Sequence, residues 1–302
     1  MSGGNKMRIF IIMLLLLFSY FPSLTASDKP QLPGPRPFTP PDEKDLPNDE
    51  FGKLVRRGLE VFTRTDQAAS AYVGNSLRCV NCHLDRGRLA NSAPLWAAYP
   101  MYPAFRKKTG KVDTIEERIQ GCFMYSMNGK APPVDSEIMK SLVTYHYWLA
   151  KRAPTGVELP GRGYPELPKP ARAPSHEAGE KLYAQHCAIC HGADGQGQMA
   201  EGELVFPPLW GSRSYNWGAG MHRINTAASF IKYNMPLGKG HSLTDQEAWD
   251  LAAFVNSHER PQDPRHKGNI QRTDQQFHDE NCLYGEHVRG SVLGSKASRG
   301  AK

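Results

Sequence analysis

Cys79-Val80-Asn81-Cys82-His83 and Cys187-Ala188-Ile189-Cys190-His191 are two copies of one pattern, C-x-x-C-H. Two cysteines separated by two residues set their sulfurs at the spacing of the two vinyl groups of a haem. The histidine that follows then falls under the iron. Each copy therefore predicts a covalently attached haem c, with Cys79, Cys82, Cys187 and Cys190 as anchors and His83 and His191 as proximal ligands. A C-x-x-C alone also suits a redox dithiol or half of a zinc site. The added histidine, present twice, argues against both.

The sequence around each motif repeats. Apolar residues at Leu54, Val55, Leu59 and Phe62 mark one face of a helix over Phe51–Phe62. A second helix is predicted over Ser136–Trp148, with Ser136 as its cap. In the other half, a short helix over Glu177–Ala184 precedes the motif. A helix over Asp245–His258, capped by Thr244 or Asp245, closes the half. Each half thus reads helix, haem motif, irregular loop, distal-ligand region, helix. The expected fold is mainly α, with two cytochrome c-like domains in tandem. A chain of 302 residues accommodates two domains of ~150 residues.

The domain boundaries follow from composition. Residues 1–26 read as a signal peptide: Lys6 and Arg8, then an apolar run from Ile9 to Phe18, then small residues at Ser23, Thr25 and Ala26. The run is shorter than the ~20 residues of a spanning helix, so no stable membrane insertion is expected, and the periplasm is the expected compartment. A Pro-rich leader covers 27–47, read as an extended arm, and domain 1 covers 48–152, with Thr63–Leu77 as an insertion. The Pro- and Gly-rich stretch 153–174 cannot sustain a helix and reads as a linker. Domain 2 covers 175–262. The extension 263–302 has few apolar residues and is expected to wrap the surface. The net charge of +7 favours anionic ligands or acidic partners, and part of it lies in the tail, at Lys296, Arg299 and Lys302. Without aromatic residues interleaved among the basic ones, nucleic acid is not expected.

The distal ligands are read from spacing. Met235, in Asn234-Met235-Pro236, lies 44 residues after His191. A thioether there favours ferrous iron. Met199, Met221, His222 and His241 are the other candidates. Met127 lies 44 residues after His83, the equivalent place in the first half, and Cys122 lies five residues before it. From the residues alone the first distal position stays open between Met127 and Cys122, with a Cys122–Cys282 disulfide as a third reading.

The stretch Arg118-Ile119-Gln120-Gly121-Cys122-Phe123-Met124-Tyr125-Ser126-Met127-Asn128-Gly129 resembles the active-site segment of dihaem thiosulfate dehydrogenases. The resemblance extends over roughly residues 45–285 and includes C-V-N-C-H, C-A-I-C-H-G and N-M-P-L-G. It implies that Cys122 ligates the first haem iron and works in catalysis, and that two thiosulfates are joined to tetrathionate. Electrons would pass through two haem c groups to a cytochrome or other redox-protein acceptor. The resemblance leaves Met127 a packing role and Cys282 a spare thiol or a partner for another chain. Some relatives carry lysine before the second distal methionine and change ligand with redox state. Here that residue is Asn234, with Lys232 two residues further back, which favours permanent ligation by Met235.

Joining two dianions requires cations, since unit charges ~4 Å apart repel by about 4 kcal/mol at an effective dielectric of 20. Arg118, one turn before Cys122, and Arg106 are the candidates, because arginine binds two oxyanion oxygens at once. Ser126 is a candidate donor to a sulfonate oxygen. Lys107, Lys108 and Lys111 read as solvated charges. Two other functions suit the same sequence: a tetrathionate reductase running in reverse, and a non-enzymatic electron-transfer cytochrome.

Overall fold

The computed structural model describes residues 37–296, together with Met1. The signal peptide, the first part of the leader (27–36) and the tail residues Arg299 and Lys302 lie outside the described residues.

In the first half, α1 (Glu50–Thr63) packs across α3 (Glu137–Leu149). Asp49 caps α1 by accepting from Gly52 N–H at 2.9 Å, and Ser136 caps α3 from Met139 N–H, satisfying donors that a helix start leaves unpaired. Val55, Val61 and Phe62 of α1 and Met139, Leu142, Tyr145 and Leu149 of α3 form the core with Trp96 and Phe123. The helices touch at Gly58, where a Cβ would lie 2.1 Å from the Ser141 carbonyl oxygen.

The second half repeats this crossing. α4 (His176–His186) packs on α6 (Asp245–Asn256), and Gly179 occupies the position of Gly58. A Cβ there would lie 2.1 Å from the Asp250 carbonyl oxygen. Thr244 and Glu247 form a capping box at the start of α6. The predicted long helices are present with ends shifted by one or two residues; α6 ends at Asn256 rather than His258.

The intervening loops are not irregular throughout. α2 (Ile115–Gly121) continues into a π-helical turn at Cys122–Ser126, and α5 (Ile224–Asn234) runs directly up to Met235. Three two-stranded antiparallel ribbons complete the described residues: β1–β2 (Ala104–Arg106, Lys111–Asp113), β3–β4 (Gln198–Ala200, Glu203–Phe206) and β5–β6 (His287–Val288, Ser291–Val292).

Three stretches read as loose in the sequence are packed. The leader from Pro37 onward lies on the first half: Phe38 meets Trp96, and Arg88 donates to the Pro41 carbonyl at 2.7 Å. The 153–174 stretch is a strap, not a free linker. The Gly161 and Gly163 carbonyls accept from Asn91 and Ala93 N–H, Tyr164 Oη donates to the Cys82 carbonyl, and Trp249 Nε1 donates to the Pro168 carbonyl. Arg172 reaches the buried Asp250 carboxylate at 2.5 Å. The extension carries α7 (Ile270–Phe277), and its Cys282, Tyr284 and Leu293 form a small core with Trp217 of the second half.

Candidate functional site

Each half encloses a cavity, and each cavity has the same chemical floor. In the first, Cys79, Cys82 and His83 line the wall with Phe62, Leu95, Ile119, Phe123 and Leu142. In the second, Cys187, Cys190 and His191 lie among Leu209, Ile231, Leu243, Leu251 and Val255. The imidazoles are held alike: His83 Nδ1 lies 2.7 Å from the Ala93 carbonyl and His191 Nδ1 2.9 Å from the Pro207 carbonyl. A ring nitrogen donating to a carbonyl fixes the tautomer and leaves Nε2 as a free ligand. Two thiols, one oriented imidazole and an apolar wall fit a haem c in each cavity.

The two cavities share a wall. Cys82 lines both, and Leu77, Val80 and Leu84 of the first half help line the second cavity. No such junction was evident in the sequence, because residues so far apart in the chain carry no local signal of contact.

Arg106, Arg118, Cys122, Ser126 and Met127 all line the first cavity. Arg118 Nη1 lies 2.7 Å from Cys122 Sγ, the length of a charge-assisted hydrogen bond. Burial by itself raises the Cys122 thiol. The Arg118 guanidinium and the facing His83 outweigh it and bring the thiol down to about 6. A thiolate is the nucleophilic and metal-binding form of cysteine. The π-helical turn begins at Cys122; such turns are frequent at functional sites. Met127 caps the end of this helical stretch as Met235 caps α5, so the two methionines are equivalent in the chain, as their spacing suggests. Yet it is Cys122 whose side chain faces His83.

Arg106 Nη1 donates to Tyr102 Oη at 2.6 Å. The Ser126 carbonyl accepts from Asn75 Nδ2 at 2.8 Å. The three lysines do not line this cavity. Lys111 pairs with Glu117 at 2.5 Å. Lys108 donates to the Gly218 carbonyl and lies over the Tyr125 ring. Lys107 is exposed. The sequence reading missed His146, which is buried in the first cavity with Nδ1 2.7 Å from the Leu142 carbonyl; burial pushes it down to about 4. It also missed Tyr102 and Tyr164. An i,i+4 hydrogen bond inside a helix and a strap residue leave no motif to find.

In the second cavity, Met235 and Met221 both line the wall. Met199 is exposed on β3, His241 is exposed beside Tyr233, and His222 sits against Cys282. Asn234 is buried and donates to the Asn91 and Phe230 carbonyls. Lys232 Nζ is tied to the Leu243 carbonyl and, at 3.2 Å, to Asp245. No two of the six cysteines are joined in a disulfide. Cys282 is buried rather than presented to another chain, and it is not joined to Cys122.

Two family models match the chain, one in each half. Residues 64–154 match the family described as SoxA/TsdA, cytochrome c domain, and residues 174–255 match cytochrome C oxidase, cbb3-type, subunit III. The chain is 58% identical over 260 residues to a thiosulfate dehydrogenase of Stutzerimonas stutzeri, covering 85% of each chain. It is 54% identical over 258 residues to a thiosulfate dehydrogenase of Thiomonas intermedia, covering 85% of this chain and 82% of that one. Among solved structures, it is similar to a thiosulfate dehydrogenase (TsdBA) from Marichromatium purpuratum in its as-isolated form, with a TM-score of 0.85 and 50% identity. That match covers 87% of this chain and 58% of that chain, so this chain spans little more than half the length of that one.

Proposed function

The chain belongs to the dihaem thiosulfate dehydrogenase family, and from that premise we propose that it oxidises two thiosulfates to tetrathionate at the first cavity, with Cys122 as the reacting thiol. The observation that carries the reading is the Arg118–Cys122 pair, 2.7 Å apart and facing His83. A plain electron carrier needs no guanidinium aimed at its distal position.

The proposed ligands are His83 and Cys122 for the first haem and His191 and Met235 for the second, with Cys79, Cys82, Cys187 and Cys190 as thioether anchors. When bound, the haems accept electrons one at a time and pass them toward a redox-protein partner. The rest falls to the side chains. Arg118 stabilises the Cys122 thiolate and, with Arg106, neutralises the sulfonate oxygens of an arriving thiosulfate. Ser126 supplies a hydroxyl donor. A bond forms between Cys122 Sγ and the sulfane sulfur, with two electrons leaving. The sulfane sulfur of a second thiosulfate then attacks the first, the Cys122–sulfur bond breaks, and tetrathionate departs with the thiolate restored. The balance is two thiosulfates to one tetrathionate and two electrons.

The shared wall at Cys82 supports direct passage of electrons from the first site to the second. Lys232, held by Leu243 and Asp245, is not free to replace Met235, which supports permanent methionine ligation. The proposed division keeps domain 1 at 48–152 and domain 2 at 175–262. The proposed compartment is the periplasm, reached through the N-terminal signal; among the described residues no helix is long and apolar enough to cross a membrane. The test is turnover of thiosulfate with ferricyanide by the haem-loaded protein beside its Cys122→Gly variant. Tetrathionate formed by the parent and lost in the variant is the expected result. Full turnover by the variant would refute the role of Cys122. The reverse assay, tetrathionate with reduced methyl viologen, measures the preferred direction.

A further inference from the structure

Away from both cavities, three side chains with metal-binding atoms converge in the second half. His222 Nδ1 lies 2.9 Å from Cys282 Sγ, and His278 Nδ1 lies 3.3 Å from the same sulfur. One ligand atom from each of the three residues lies within 4.8 Å of the other two. We propose that His222, His278 and Cys282 bind one zinc ion, which fastens the C-terminal extension to the second cytochrome domain.

The surroundings are those of a metal centre. His278 Nε2 faces Asp263 Oδ2 at 3.3 Å, and both side chains are wholly buried. A carboxylate behind a histidine is the usual outer partner of a metal-bound imidazole, orienting the ring and raising its basicity. Asp263 is itself fixed, with Oδ1 and Oδ2 taken by Arg265 at 2.9 and 2.6 Å. The His278 ring is stacked on Tyr284, with centroids 4.3 Å apart. Tyr284 N–H points at Cys282 Sγ from 3.3 Å, a donor suited to a metal-bound thiolate. The arrangement Cys282–His278–Asp263 also has the order of a nucleophile, base and orienting acid. Cys282 is only 7% exposed, however, so no substrate reaches it.

The donor set selects the ion. Two imidazoles and one thiolate suit zinc and exclude calcium and magnesium, which take oxygen ligands. With three protein ligands, a water would take the fourth tetrahedral position. The placement gives the ion a purpose. His222 belongs to the second domain, whereas His278 and Cys282 belong to the extension, whose buried Cys282, Tyr284 and Leu293 share a small core with Trp217 of the second domain. Small cores of this kind are commonly stapled by a disulfide or a metal, and an ion here would add to the contacts the two already make: Trp217 against Tyr284, Arg223 to Asp279 at 2.6 Å and Ile224 N–H to the Asn281 carbonyl.

The test is metal analysis of the haem-loaded protein, purified without chelators or metal-affinity resin. One zinc for every two irons is expected. In Cys282→Ser and His278→Gln the zinc-to-iron ratio should fall at least tenfold, with haem content unchanged. Zinc-edge X-ray absorption on the parent protein reports the site without any variant: one sulfur at about 2.3 Å and nitrogens at about 2.0–2.1 Å support it. Iron alone, even after dialysis against zinc chloride, overturns the proposal. So does zinc that lacks a sulfur ligand, or copper in its place.

Discussion

Replacing Arg118 with glutamine removes the guanidinium and keeps a side chain of similar reach. The bond lost is a 2.7 Å contact to the thiol that this guanidinium helps bring down to about 6. Hydrogen bonds to charged groups contribute about 1.5–3 kcal/mol. At about 1.36 kcal/mol per tenfold, kcat/KM for thiosulfate should fall roughly ten- to 150-fold. The pH profile carries a second signature. The thiolate is the reactive form, so turnover declines as pH falls through the thiol's titration. Burial raises that titration, and Arg118 is the foremost group opposing it. Without the guanidinium, the acidic limb should therefore move to higher pH, by about one to two units at about 1.36 kcal/mol per unit. The assay is steady-state thiosulfate oxidation with ferricyanide across pH 5–9, a range chosen to bracket about pH 6, with Arg118→Lys as the charge-conserving control. A tenfold loss with an unmoved acidic limb would show that Arg118 binds substrate without acting on Cys122. An unaltered kcat/KM would refute both roles.

Met127→Leu should leave thiosulfate turnover within about twofold, because the swap conserves volume in a packed site; a collapse of turnover would transfer the distal role from Cys122 to Met127. Met235→Ala should lower the potential of the second haem, since a thioether favours ferrous iron, and redox titration of the holoprotein would reveal it. Gly179→Ala places a methyl 2.1 Å from the Asp250 carbonyl oxygen, so thermal unfolding should show a loss of about 1–3 kcal/mol, the usual cost of overpacking. Gly58→Ala should do the same in the first half.

The two tandem halves and their long helices were legible because their signals are local. C-x-x-C-H is a covalent requirement, and caps such as Ser136 and Thr244 mark helix starts by a side chain's own hydrogen bond. α2 and α5 were not legible. α2 is seven residues long with buried Ile115 and Ile119 only, and α5 buries Ala227, Ala228 and Ser229, which leave a weak apolar face. The strap was misread because proline and glycine exclude helix without excluding burial. At the first distal position the 44-residue spacing favoured Met127, and only the direction of a side chain, a tertiary property, turned Cys122 toward His83. Cys282 was unreadable for a related reason: its histidines lie in another segment and beyond a turn.

The wall at Cys82 bears on how such a chain could be recombined. Tandem repeats are commonly treated as exchangeable cassettes, each complete in itself. Here the second cavity borrows Leu77, Val80 and Leu84 from the first repeat. A half expressed alone, or grafted onto a foreign partner, would open an apolar face and lose part of its cofactor enclosure. The two repeats can diverge in chemistry, as Cys122 and Met235 suggest, but any substitution along that seam is read by both at once, so they must change together.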